Sequence, residues 1–245
     1  MAHLLRRFPM PIPANIKNLK APIRDAVASQ VSSITSTSPS TVTWSHTVST
    51  AASTGALLVV MHEYCYNGWP GPTSMTYNGA TMTQVGGNGA FYSFNGLGAF
   101  FAFYLQNPSS GANTVVLNSP AAGPSAASVY LAAASVSYSN VSSVTATFQT
   151  ATGTSTTPTQ AATAAPGTAV LQAFGNFSTT AAFGSYTAPE NTLVNNTYAS
   201  ATNYPFVVGD ESNLLNPTFA NTLSSSVNWG GVGIVINGTA TYQQH

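Results

Sequence analysis

The sequence predicts an all-β protein, a β-sandwich with a jelly roll as one form of it, preceded by an extended basic N-terminal arm. Three observations predict it. Apolar residues alternate with Ser and Thr over many short runs, which is the period of a half-buried strand. Gly and Pro, 20 and 15 of the 245 residues, punctuate those runs at roughly the 8–12-residue spacing of a sandwich. Charged residues make up only 4% of the chain, against about 25% in ordinary soluble domains, so the Glu and Lys of coiled coils and long surface helices are missing. The 44% hydrophobic content supplies a core, and with zero formal net charge it excludes charge-driven disorder. The single cysteine, Cys65, excludes a disulfide scaffold.

The elements follow in chain order. Residues 1–30 read as an extended docking arm and 31–245 as the sandwich domain. Phe8-Pro-Met-Pro-Ile-Pro13 is extended, because alternating prolines fix φ and remove donors. Residues 22–30 are the one stretch that reads as a short helix, with Pro22 near its first position. Thr41–Val48 alternates, placing Val42, Trp44, His46 and Val48 on one face. Ala56–Cys65 is a continuous apolar run, the mark of a strand buried on both faces. Asn78-Gly79 supplies the positive φ values of a type I′ turn, and so predicts a hairpin pairing Tyr77 with Ala80 and Met75 with Met82. Further strands are expected over 97–105, 114–117, 128–138, 144–149, 169–174, 204–208 and 227–236. In the strand over 128–138, Val129, Leu131, Ala133, Ser135 and Ser137 share one side. Residues 150–167, almost all Thr, Ala, Ser, Gly and Pro, read as a loop within one domain.

The charge is unevenly placed. All five basic residues, Arg6, Arg7, Lys17, Lys20 and Arg24, precede position 25. Five positive charges less Asp25 give +4 for residues 1–25, and Glu63, Glu190, Asp210 and Glu211 give −4 for the rest. A body without cations is expected to make no internal Lys/Arg–carboxylate pair and to offer no trypsin site. The arm also carries apolar residues, Phe8 and Ile12 among them, which suits docking better than a solvated tail. The expected partner-binding residues are therefore Arg6, Arg7, Phe8, Ile12, Lys17, Lys20 and Arg24. No secretory signal is visible, since Arg6-Arg7 and the prolines interrupt any apolar run. No segment reaches the ~18 apolar residues of a membrane helix.

Chemistry is sparse. Of four histidines, His46 and His62 fall in expected strands. His62-Glu63 lacks the second histidine of a zinc-protease helix, and the two point to opposite faces of a strand. Cys65 reads as an inert buried thiol. Asp210-Glu211-Ser-Asn213 gathers oxygen ligands but lacks the acid spacing and glycine of a calcium loop, so a solvated turn is expected and neither metal nor cofactor is assigned. Trp69, in the stiff loop Asn67-Gly-Trp-Pro-Gly-Pro72, either stacks on a ligand or plugs the sandwich end; with Tyr66 it marks the expected ligand-binding position. Trp44 and Trp229 are expected in the core. With so few acid–base groups, an enzyme is not expected. Five cations and one aromatic make a poor grip on nucleic acid.

Thr43-Trp-Ser-His-Thr-Val-Ser, Gly55-Ala-Leu-Leu-Val-Val, Ser74-Met-Thr-Tyr-Asn-Gly-Ala-Thr-Met-Thr and Ala102-Phe-Tyr-Leu-Gln-Asn-Pro-Ser-Ser-Gly-Ala-Asn-Thr-Val-Val follow one another in a familiar order. Over about residues 41–140 the chain resembles the Ser/Thr/Gly-rich β-sandwich structural proteins of tailed bacteriophages. The resemblance lies in strands and turns and carries no catalytic residues. It implies a virion surface role, reached after host lysis, as a capsid decoration or cement protein or a tail-associated piece. The expected partners are a major capsid or tail protein and further copies of the chain, a trimer for example. The alternative is a carbohydrate- or host-receptor-binding module of a tail or fibre.

Overall fold

The structure is a computed structural model, described over residues 17–35, 39–65, 71–87, 92–94, 98–120, 128–176, 181–199 and 203–242. It is an all-β sandwich of antiparallel sheets. Strands are numbered here in chain order. The central sheet runs β2 (Ile23–Thr35), β11 (Ser128–Ser139), β4 (Ala56–Cys65), β9 (Gly98–Gln106) and β7 (Thr83–Gln84), with β8 (Tyr92–Phe94) also on β9. One face is covered by β3 (Ser40–Val48), β10 (Gly111–Ser119), β5 (Ser74–Tyr77) and β6 (Ala80–Thr81). The other is covered by an outer sheet of β1 (Lys17–Lys20), β19 (Val227–Tyr242), β15 (Thr168–Asn176), β17 (Asn203–Ser212) and β16 (Asn191–Ala199), with β12 (Val141–Val144) and β13 (Gln149–Ser155) also on β19. A two-stranded flap, β14 (Thr159–Ala161) and β18 (Thr218–Ala220), lies over the outer sheet's far face.

Three sheets stack, because the central strands are apolar on both sides. In β4, Leu57, Val59 and Met61 enter the core shared with the four-stranded sheet, beside Val42, Trp44, Met75 and Leu117. Leu58 and Val60 enter the second core, with Leu171, Phe206 and Ile234 of the outer sheet. Strand β11 divides likewise, Leu131 to one core and Val136 to the other. A third cluster, with Phe174, Tyr186, Phe219 and Trp229, fills the space under the flap. Each buried Leu, Val or Phe contributes roughly 1.5–3 kcal/mol of transfer free energy, so a sheet buried twice adds strongly to stability.

The predicted hairpin is present. Asn78 and Gly79 have φ of 48° and 78°, Tyr77 pairs with Ala80, and the Met82 N–H donates to the Met75 carbonyl. Three expectations need correction. Residues 23–30 are strand, not helix, and all but Asp25 pair with β11. Residues 149–155 and 159–161 are strands within the expected loop, and the strand expected over 144–149 is instead the gap between β12 and β13. Finally, the chain from Lys17 onward belongs to the sheets, since β1 pairs with Thr239–Tyr242 and β2 is an edge of the central sheet. An edge strand needs few core residues, so β2 lacks the strong alternation of β3.

Candidate functional site

Two clusters on β2 each join a side chain at the surface, Asp25 or Arg24, to buried polar groups. In the first, β3 brings His46, β11 brings Ser135 and Ser137, and β2 brings Asp25. The register of β2 shifts opposite Ser137/Tyr138, which leaves Asp25 as the extra residue of a bulge. Ser137 Oγ donates to Asp25 Oδ2 at 2.9 Å and lies 3.1 Å from His46 Nε2. Because that hydroxyl proton goes to an acceptor-only carboxylate, His46 Nε2 carries the proton and donates to Ser137. His46 Nδ1 then accepts from Ser135 Oγ at 2.9 Å, and Ser135 accepts from Trp44 Nε1 at 3.0 Å. Burial lowers the His46 pKa to about 4, opposed by Asp25, so the ring is neutral. The residue types suggest a nucleophile triad, but the order does not. Here the serine sits between acid and imidazole, and both serines are fully buried, out of reach of a substrate. This cluster ties three strands together.

The second cluster joins β2, β11 and β17. Arg24 Nη1 donates to Asp210 Oδ1 at 2.5 Å, and the Tyr138 hydroxyl donates to Asp210 Oδ2 at 3.0 Å. Burial pushes the Asp210 carboxyl up, opposed by Arg24 and Tyr138. Arg24, placed in the arm by the sequence reading, thus pairs with an acid of the sandwich and neutralises it. A cavity of about 230 Å³ beside them is lined by Pro22, Ile23, Asn191 and Ser212. Among the described residues, no group of three His, Cys, Asp or Glu is placed to hold a metal.

His62 points into the second core, stacked on Phe206 with planes 7° apart, and its pKa falls to about 3 on burial. Gly175 makes room for it; a Cβ there would sit 2.7 Å from the imidazole. Trp44 and Trp229 are core residues, as expected.

The two ends of the stack differ. The registers set Thr35, Cys65, Gly98, Ser119 and Ser128 side by side at one end. Gly175 and Phe206, both against His62, bring the end of β15 and the start of β17 to the same end. The connection carrying Tyr66 and Trp69 leaves from here, and both residues lie outside the described ones, as does the Cys65 side chain. What is described at this end is a depression of about 500 Å³ lined by Pro39, Ser40, Thr41, Thr73, Asn118, Ser119 and Pro120. Ser40 Oγ is buried there without a hydrogen-bond partner.

At the opposite end β19 runs beyond its pairing with β15, and among the described residues Thr239–Tyr242 pair only with β1. Lys17 sits at the tip of this end, and Arg6, Arg7, Phe8 and Ile12 precede it in the chain. Those four residues lie outside the described ones. Lys20 is exposed on β1. Arg24 is thus engaged by Asp210 within the fold, while Lys20 is exposed. Asp25, Ser135 and Ser137 were missed; the available signal was two serines on an otherwise apolar face of β11. Compared with known protein families, curated proteins and solved structures, the chain matches none.

Proposed function

We propose that the protein is a non-enzymatic virion structural protein, a capsid decoration or cement protein anchored through residues 1–16. The observation that carries this reading is polarity. A segment with two arginines and many apolar residues precedes Lys17 at one end of the stack, while the connections from β4 to β5 and from β10 to β11 lie at the other. Such a molecule can hold a scaffold through the end that carries residues 1–16 and turn the Trp69 end to solvent. Exposed cationic contacts contribute only about 0.2–1 kcal/mol each, so the arm's apolar residues and multivalency supply the rest. Antibodies to residues 17–245 are expected to label the outside of purified virions. A chain lacking residues 1–16 is expected to fold yet fail to co-sediment with particles stripped of the protein. Unlabelled virions, or co-sedimentation of the shortened chain at the wild-type level, would overturn the reading.

The depression at Ser40 and Asn118 favours a second reading, a carbohydrate- or receptor-binding module. Its hydroxyls and amide offer neutral donors and acceptors to a sugar. A glycan array with Trp69→Ala and Asn118→Ala controls separates the two readings.

A further inference from the structure

We propose that Phe8–Pro13 of a second copy of this chain adds to strand β2 as a new outermost strand of the central sheet. The inference rests on reading the N-terminal segment as a docking arm, and it names the surface that receives it.

The segment's sequence limits how it pairs. Prolines 9, 11 and 13 restrict φ to near −65°, and the residue before each is biased to extended dihedrals, which lowers the entropy cost of pairing as a strand. In a strand, successive residues direct their N–H and C=O groups to opposite edges. The three missing N–H groups therefore all belong to one edge, and the N–H groups of Phe8, Met10 and Ile12 all belong to the other. Their side chains also share one face. A strand of this kind pairs on one side and ends the sheet on the other.

The structure offers a matching edge. Strand β2 has 13 residues, the longest of the edge strands, and among the described residues it pairs only with β11. From Ala26 to Thr35 it carries none of the charges or prolines that block edge pairing. Among the described side chains, the edge strands β3 and β16 show no large apolar residue to solvent, whereas on β2 Val27 is 38% exposed and Val31 39%. The two valines lie four residues apart and share a face. Their partners on β11, Val136 and Ala132, belong to the core between the central and outer sheets. A strand bearing Phe8, Met10 and Ile12 would extend that core by one row.

Reach assigns the strand to a neighbour. From Pro13 to Lys17 the chain spans at most about 14 Å. To lie opposite Val27 and Val31, a chain's own arm would retrace β1, about 10 Å, and then Ile23 to Val27, about 13 Å. The sum exceeds the tether.

The test is sedimentation velocity of the full chain over a concentration series, with hydrogen exchange of β2. Association is expected to rise with concentration and to protect the β2 amides that face away from β11. Met10→Pro removes an N–H from the pairing edge and should weaken association roughly tenfold. Pro11→Ala restores one on the outer edge and should not weaken it. A Val27→Lys/Val31→Lys chain, with circular dichroism confirming its fold, should also dissociate. Equal behaviour of Met10→Pro and Pro11→Ala, or association that survives loss of residues 1–16, overturns the proposal. Protection of β2 in a chain that sediments as a monomer overturns the assignment to a neighbour. If Met10→Pro binds particles normally while the chain lacking residues 1–16 does not, strand addition falls and the docking reading stands. If Met10→Pro dissociates a chain that never binds particles, the virion reading falls and strand addition stands.

Discussion

Glu63 and His46 are buried ionisable residues whose burial acts on stability with opposite sign. Glu63 lies on the face of β4 that carries Leu57, Val59 and Met61, is 5% exposed, and has no hydrogen-bond partner at Oε2. Burial raises its pKa from 4.5 to about 8. Between those values the native state keeps a proton that the unfolded state has released. The contribution of Glu63 is therefore complete below pH 4.5 and is lost as the pH rises to about 8. For His46, lowered from 6.5 to about 4, the unfolded state binds the extra proton, so stability is lost as the pH falls through that window. Glu63→Gln is expected to raise the unfolding free energy by on the order of 2 kcal/mol at pH 8 and to change it little at pH 5. Urea titrations at the two pH values check this; an equal effect at both would mean that Glu63 is ionised in the native protein.

Strand β2 is where sequence and structure part, and proteolysis tests its placement. Lys17, Lys20 and Arg24 are all in ladders, and no Lys or Arg follows Arg24. Trypsin is expected to leave these three bonds intact in the native protein. In urea beyond the unfolding transition it should cut after Arg24 and yield a fragment from Asp25 that resists all further cleavage. Cleavage after Arg24 in native buffer at the denatured rate would mean that β2 is not docked. What the sequence made legible here depends on burial. Strand β3 was legible because Val42, Trp44, His46 and Val48 all face one core, and β4 because two cores take its alternate residues. Strand β2 places only Ile34 fully in a core, so Pro22 and its Ala and Gln residues read as a helix start. Strand β13 is Gln-Thr-Ala-Thr-Gly-Thr-Ser, held by backbone pairing to β19, and nothing in its composition separates it from a loop. The same limit hid the polar clusters. His46 and Ser135 were each visible, but their contact is made by packing between two sheets, across 89 residues of chain.

At the scale of the whole molecule, the described sheets begin at Lys17 rather than after residue 30, and two truncations on either side of it should differ sharply. Removing residues 1–16 takes away no described hydrogen bond and should shift the unfolding free energy by no more than about 0.5 kcal/mol. Removing residues 1–25 deletes β1 and leaves Thr239–Tyr242 without their partner strand. It strips Asp25 from Ser137 and from the Ser49 N–H, and leaves Asp210 with the Tyr138 hydroxyl but no cation. Each lost hydrogen bond costs about 1 kcal/mol, and a nearly buried carboxylate without its cation costs more, so a loss on the order of 3 kcal/mol is expected. Adding Asp210→Asn to the longer truncation should recover part of that loss, because it removes the stranded charge. Equal urea midpoints for the two truncations would show that the first two strands add nothing to the stack. A large difference, partly reversed by Asp210→Asn, would mean that residues 17–25 are fastened into both the central and the outer sheet. A load applied at residue 16 would then be shared by two ladders and an ion pair.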